Sequence, residues 1–262
     1  MPVARLPPVL VHFFQHPLPY TSTWNLQDRV HNLQLALRKT DLHPDILLLL
    51  QHRPVYTAGR RQTESTIQDE RNRLQKIGAD FVSTSRGGQL TYHGPGQVVG
   101  YPLIDLARYT PTIGTRDYVC RIQHMLKHYL RESHDIPSID SEHAGVFVDS
   151  TTKIASIGVE VRHRMTSHGF AINITREPLA WFNQVVACGL DNVRAGSVES
   201  RLGEGVVVVE DEIPAIIQQF GKSFNREMVV MDPRKEGEIG AAIIALEKEA
   251  EVIGAWAKTP KQ

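Results

Sequence analysis

The sequence predicts an α/β protein of the α+β type, a mixed sheet with peripheral helices, and three observations carry that prediction. Short apolar runs bounded by proline or polar residues recur along the chain, Ile46–Leu50 between Pro44 and Pro54 being the plainest. Helical periodicity is confined to separate stretches between those runs. Regular alternation of strand and helix is missing, which argues for a largely antiparallel or mixed sheet rather than a parallel one.

Taken in order, Val9–Phe14 reads as a short strand, and a helix from about Thr23 to Arg38 follows with Trp24, Val30, Leu33 and Leu37 as its apolar positions. Ile46–Leu50 is a buried strand. Arg53–Arg73 reads as an irregular polar stretch, before a strand at Ala79–Ser83 that delivers the glycine-rich run Arg86–Gln97. Val98–Ile104 leaves that run as another strand. A helix over Thr115–Arg131 places Tyr118, Ile122, Met125, Leu126 and Tyr129 on one face, and Cys120 with Gln123, Lys127 and His128 on the other. Strands are expected at Gly145–Val148, Ile154–Val161 and His168–Ile174, with Asp149–Thr152 turning the first pair into a hairpin. Helices return near Glu210–Phe220 and in the tail, where Ile239, Ile243, Leu246, Ala250 and Ile253 are spaced by four and three. No repeat or obvious linker divides the chain. It reads as one domain over 1–230, with 231–262 as a helical extension packed on it.

Composition sets outer bounds. The 262 residues are 41% hydrophobic, enough to bury a substantial core. Twenty-nine basic residues balance 29 acidic ones, so no global field favours nucleic acid or an anionic membrane, and neither is expected as a partner. The longest apolar run is far too short to span a bilayer. Two cysteines, Cys120 and Cys188, are too few for a disulfide framework and fit a reducing compartment; no metal site is expected. Residues before Asp28 contain no acid, as in a transit peptide, but Arg5 is their only strong base.

The run Arg86-Gly87-Gly88-Gln89-Leu90-Thr91-Tyr92-His93-Gly94-Pro95-Gly96-Gln97 is built around backbone rather than side chains. Glycine lets a ligand approach the main chain and proline fixes φ, so the segment reads as a shaped binding wall; a tight hairpin connection is the plain alternative. Its spacing matches neither a dinucleotide fingerprint nor a P-loop, and no cofactor is expected. For a reactive group, Cys188 beside Gly189 suits acyl transfer, since its sulfur can project while neighbouring N–H groups face a developing oxyanion. A lone cysteine can equally be an inert small hydrophobe. A thiol of reference pKa about 8.5 is mostly protonated at neutral pH, so a catalytic one wants a base nearby. Lys153, at the entrance to the apolar strand Ile154–Val159, is one candidate; His93 and His168 compete with it, and each has a purely structural reading.

The segments Gln51–Gly59, Arg86–Gln97, Gly145–Val148 with Lys153–Gly158, Ser167–Asn173 and Ala187-Cys188-Gly189-Leu190 resemble, in order, the motifs of the lipoyl(octanoyl) transferases. That resemblance, which covers roughly residues 45 to 200, implies a biotin/lipoate protein ligase-like fold. It implies transfer of an octanoyl group from octanoyl-acyl carrier protein to a lysine of lipoyl domains, those of 2-oxoacid dehydrogenase complexes and the glycine cleavage H protein. By position it makes Cys188 the acyl-thioester nucleophile and Lys153 the group that activates it. It gives substrate binding to Arg86, Gly87, Gly88, Gln89, Leu90, Thr91, Tyr92 and His93, to Ser156, Ile157 and Gly158, and to Gly169, Phe170 and Ala171. Ala187 and Phe147 depart from the proline and tryptophan frequent at those places. Trp181-Phe182 and Thr166–Gly169 resemble eukaryotic members, which implies mitochondria; a bacterial member would be cytoplasmic. Three rivals stand beside this reading: an ATP-dependent lipoate or biotin ligase, a noncatalytic binder of lipoyl domains, and a cysteine hydrolase using His93 or His168.

Overall fold

The computed structural model describes residues 6–62, 64–185, 192–252 and 256–261. Its spine is a mixed sheet of eight described strands, β1 (Val9–Phe13), β2 (Asp45–Leu50), β6 (Gln97–Leu103), β7 (Val146–Phe147), β8 (Thr152–Arg162), β9 (Met165–Asn173), β10 (Arg194–Ala195) and β11 (Met228–Val230), in the order β10-β8-β9-β6-β2-β1-β11 with β7 also on β8. The central neighbours β2, β6, β9 and β8 run antiparallel, while β1 pairs in parallel with both β2 and β11. A second sheet of three described strands, β4 (Asp80–Ser83), β3 (Val55–Ala58) and β5 (Thr91–His93), stands beside it.

Strand periodicity sorts the core into two layers. In β2, Leu47 and Leu49 face a cluster that includes Tyr118, Ile122, Met125 and Tyr129 of α3 (Thr115–His134) and Ile216 and Phe220 of α6 (Val209–Phe224). Ile46, Leu48 and Leu50 face the other way, onto Leu26 and Val30 of α1 (Tyr20–Leu37) and Ile239, Ile243 and Leu246 of α7 (Gly237–Val252). All the apolar positions expected on α3 are buried. So are the expected tail positions through Ala250; Ile253 lies outside the described residues.

Differences from the sequence reading have local causes. The stretch expected to be irregular contains β3 and α2 (Glu64–Lys76). The helix α2 is almost wholly polar, with Ile67 and Leu74 buried on one side, so its pattern is too thin to register. Helix α1 begins at Tyr20, directly after Pro19, whose fixed φ suits a helix start, and the Thr23 hydroxyl donates to the Pro19 carbonyl at 2.8 Å. The short helices α4 (Glu177–Phe182) and α5 (Val198–Leu202) were not expected.

Candidate functional site

One guanidinium organises the wall of the site. Arg86 is buried, and its Nη2 donates to the hydroxyl of Thr57 at 2.8 Å and to the carbonyl of Gln89 at 2.8 Å, while Nη1 donates to the carbonyl of Gly87 at 3.0 Å. The planar fork thus folds the glycine run back over β3. Gly59 completes the join, because a Cβ there would overlap the carbonyl oxygen of Gly88. Gly88 itself sits at φ +98, a conformation that only glycine adopts without strain.

The folded-back run closes on the middle of β8, at Gly158 and Val159. Gly87 N–H donates to the carbonyl of Val159 at 3.1 Å, and a Cβ on Gly158 would come within 2.9 Å of the Gly87 carbonyl oxygen. On the far side of β8, Gly158 lies opposite Gly169 and Ser156 opposite Ala171. The space between the glycine run, β8 and β9 is a cavity of about 460 Å³. A volume of that order suits a small ligand or a medium-length chain.

Lys153 stands at one end of this cavity. It is 8% exposed, its Nζ lies 5.7 Å from the centre of the Phe147 ring, and its carbonyl accepts from Gly196 N–H at 2.8 Å. Gly145, at φ +131, makes room for it; a Cβ there would come within 2.5 Å of the Lys153 Cε. The sequence between α4 and β10 carries Cys188, which lies outside the described residues. The strand β10 that follows is paired in parallel with β8, with Ala195 opposite Lys153.

The other end is lined by the neutral polar rings of Tyr20, His93, Tyr101 and His168, with His52 bonded to Tyr101. His52 Nδ1–H donates to the carbonyl of Leu18 at 3.1 Å, and the Tyr101 hydroxyl donates to His52 Nε2 at 2.6 Å. His93 Nδ1–H donates to Gln97 Oε1 at 3.3 Å; the Gln97 amide donates to Asn173 Oδ1 at 2.8 Å, and that of Asn173 to the Gly196 carbonyl at 2.7 Å. The relay ends where Gly196 holds Lys153. Burial lowers the pKa of His52 to about 4 and that of His168 to about 3, and it takes His93 well below the ordinary value, with Arg86 adding repulsion at the last two. Burial also raises the Tyr20 phenol to about 12. The rings are therefore uncharged at neutral pH.

Of the residues expected to bind substrate, Arg86, Gly87, Gly88, Gln89, Thr91, His93, Ser156, Ile157, Gly158, Gly169, Phe170 and Ala171 line this cavity together with Lys153. Leu90 and Tyr92 do not. They pack into a separate cluster with Tyr56, Trp181 and Phe182, the Tyr92 and Trp181 rings stacked 5.4 Å apart. Alternation explains it, since Thr91 and His93 take the cavity side of β5 and their neighbours take the other. Sequence reasoning missed Tyr20, Tyr101, Val99, Arg60 and Arg61, which also line the cavity. Arg60 and Arg61 follow the motif residue Gly59 directly, a signal within reach; Tyr20 and Tyr101 carry no local pattern. Among the described residues, no group of three or more His, Cys, Asp or Glu is placed to hold a metal ion, and no helix is long and apolar enough to cross a membrane.

Residues 19–225 match the lipoyl protein ligase A/B catalytic domain. The chain is 36% identical over 218 residues to an octanoyltransferase of Koribacter versatilis, covering 81% of this chain and 83% of that protein. It is 34% identical over 208 residues to the mitochondrial octanoyl-[acyl-carrier-protein]:protein N-octanoyltransferase of Danio rerio, covering 79% and 89%. Among solved structures, a lipoate-protein ligase A bound with ATP superposes with a TM-score of 0.62 at 12% identity, covering 93% of each chain. An archaeal bipartite lipoate protein ligase from Thermoplasma acidophilum does so at 0.60 and 13% identity, covering 93% of this chain and 92% of that one. At such identities the structures show a shared fold.

Proposed function

The chain belongs to the lipoyl protein ligase A/B catalytic-domain family and to the octanoyltransferases within it, and from that premise we propose a two-step acyl transfer through Cys188 and Lys153. The enzyme is an acyltransferase of protein lipoylation, with an acyl carrier protein as donor and a lipoyl domain as acceptor. In the first step the Cys188 thiolate attacks the octanoyl thioester carbon, the carbon–sulfur bond to the pantetheine breaks, and the departing thiolate takes a proton from the Lys153 ammonium. In the second, the acceptor lysine amine attacks the new thioester, Lys153 removes a proton from its nitrogen, and Cys188 leaves as thiolate with an amide formed. Thioester exchange is nearly balanced, and amide formation makes the second step strongly downhill.

The observation that carries this reading is the position of Lys153, against the cavity and on the strand that pairs with β10, the first described strand after Cys188 in the sequence. A narrow slot suits an eight-carbon chain, each buried methylene contributing about 0.8 kcal/mol. As acceptors we propose the lipoyl domains of 2-oxoacid dehydrogenase complexes and the glycine cleavage H protein. A mitochondrial location is proposed on the Trp181-Phe182 resemblance and the Danio rerio relative; a bacterial source would make the protein cytoplasmic. We read residues 1–230 as the transfer domain and 231–262 as an extension, the family match ending at 225.

The test is transfer from octanoyl carrier protein to a lipoyl domain with ATP and magnesium omitted. Product in that mixture is expected. Activity confined to free octanoate plus ATP would make the protein a ligase.

A further inference from the structure

A buried polar group at the inner end of the cavity is left unused by the transfer chemistry. His168 is 1% exposed, lines the cavity, and its Nε2 has no hydrogen-bond partner among the described residues. The ring is held from α1, with Nδ1 3.4 Å from the Tyr20 hydroxyl and the backbone N–H donating to Gln27 Oε1 at 2.8 Å. Its φ of +56 is uncommon for any residue but glycine, and so strained a position persists only where its surroundings impose it. A neutral imidazole nitrogen buried without a partner is costly, and a ligand atom that satisfied it would be favoured.

Register shows which part of a bound chain reaches that nitrogen. His168 lies opposite Val159, six residues along β8 from Lys153, or about 20 Å of strand. An extended lysine side chain covers about 6 Å and the seven carbon–carbon bonds of an octanoyl chain about 9 Å. Laid along β8 they reach about 15 Å, so a chain with its carbonyl near the Lys153 amine and its body along Ser156–Gly158 ends about 5 Å short of the His168 register, a gap that the imidazole and a hydroxyl on the last carbon span. A plain hydrocarbon end leaves Nε2 unpaired.

We propose that His168 reads the far end of the acyl chain, and that medium-chain acyl groups carrying a hydroxyl-type substituent on their last carbons are a second substrate class. A hydroxyl both donates and accepts, so it pairs with Nε2 in either imidazole tautomer. This inference rests on the acyl-transfer reading, with the chain carbonyl at Lys153.

The experiment compares 8-hydroxyoctanoyl and octanoyl carrier protein as donors to one lipoyl domain, in the wild type, His168→Phe and His168→Asn. A hydroxyl buried without a partner would lower kcat/KM by more than tenfold, so a wild-type ratio of hydroxylated to plain donor of at least one-tenth is expected. In His168→Phe that ratio falls about tenfold further, mainly through KM, while Asn, which tolerates the same backbone and keeps polar atoms, falls less. A wild-type ratio below one-tenth overturns the proposal, as does a ratio that His168→Phe leaves unchanged. Should the variants fail to fold, the wild-type ratio decides alone. Transfer of neither donor by the wild type would overturn the transfer reading, and this inference with it.

Discussion

Arg86 grips Thr57 at both hydroxyl and carbonyl, with Nε 3.1 Å and Nη2 2.8 Å from Oγ1, and this contact joins two segments separated by 28 intervening residues. It is what turns a glycine-rich run into a wall. Arg86→Lys keeps the charge but offers no fork, so the run loses its hold on β3. The expected cost is about 2 kcal/mol of stability by denaturant unfolding, with a larger proportional fall in kcat/KM than in kcat. Unchanged kinetics in a folded Arg86→Lys protein would show that the wall does not depend on this grip.

Glycines in the site differ in what they tolerate. A Cβ on Gly169 would overlap the Gly100 carbonyl oxygen across the β6–β9 pairing, whereas one on Gly87 would only touch the Val159 carbonyl oxygen at 3.4 Å. Gly169→Ala is expected to cost about 1–3 kcal/mol and most of the activity. Gly87→Ala should fold normally and show its effect on donor KM. Equal melting temperatures for the two variants would contradict the assignment.

Gly88→Val tests the same wall from another side. At φ +98 a β-branched residue is strained, and the run that lines the cavity must shift to accept it. Octanoyl transfer should fall well before global unfolding does. A well-folded Gly88→Val protein with full transfer would remove the run from the pocket.

The neutral histidines give the fold an acid-sensitive range. His52 and His168 have folded-state values of about 4 and about 3, below the 6.5 of an unfolded histidine, and His93 is depressed as well. Between pH 6.5 and those lower values the unfolded chain binds protons that the folded one does not. Stability is therefore highest above pH 6.5 and is lost as pH falls toward 4, at about 1.4 kcal/mol per pH unit for each such histidine. The loss from His52 levels off below about 4. Urea titrations at pH 7, 6 and 5 should show falling midpoints, with a shallower fall in His52→Gln. Equal midpoints across that range would mean that these rings already carry charge in the folded state.

Much of this site is legible in the sequence because backbone requirements leave compositional marks. Gly87, Gly88 and Gly158 stand where main chain approaches main chain, and Lys153 interrupts an apolar strand, so each is visible locally. The facing of a three-residue strand is not. Leu90 and Tyr92 sit within the same motif as Thr91 and His93 yet pack beneath the second sheet, a choice made by Trp181 and Phe182 far along the chain. The Tyr101–His52 hydrogen bond likewise joins residues with no shared local pattern. Helix α2 hides for the opposite reason: among its described side chains only Ile67 and Leu74 are buried.

In the proposed transfer Cys188 carries the acyl group while Lys153 manages its protons. Intact-mass measurement after mixing the protein with octanoyl carrier protein, acceptor omitted, tests it most directly. One octanoyl adduct is expected on the wild type, mapped to the peptide containing Cys188, absent from Cys188→Ser, and formed far more slowly in Lys153→Ala. Full transfer by Cys188→Ser, or an adduct on any other residue, would contradict the account.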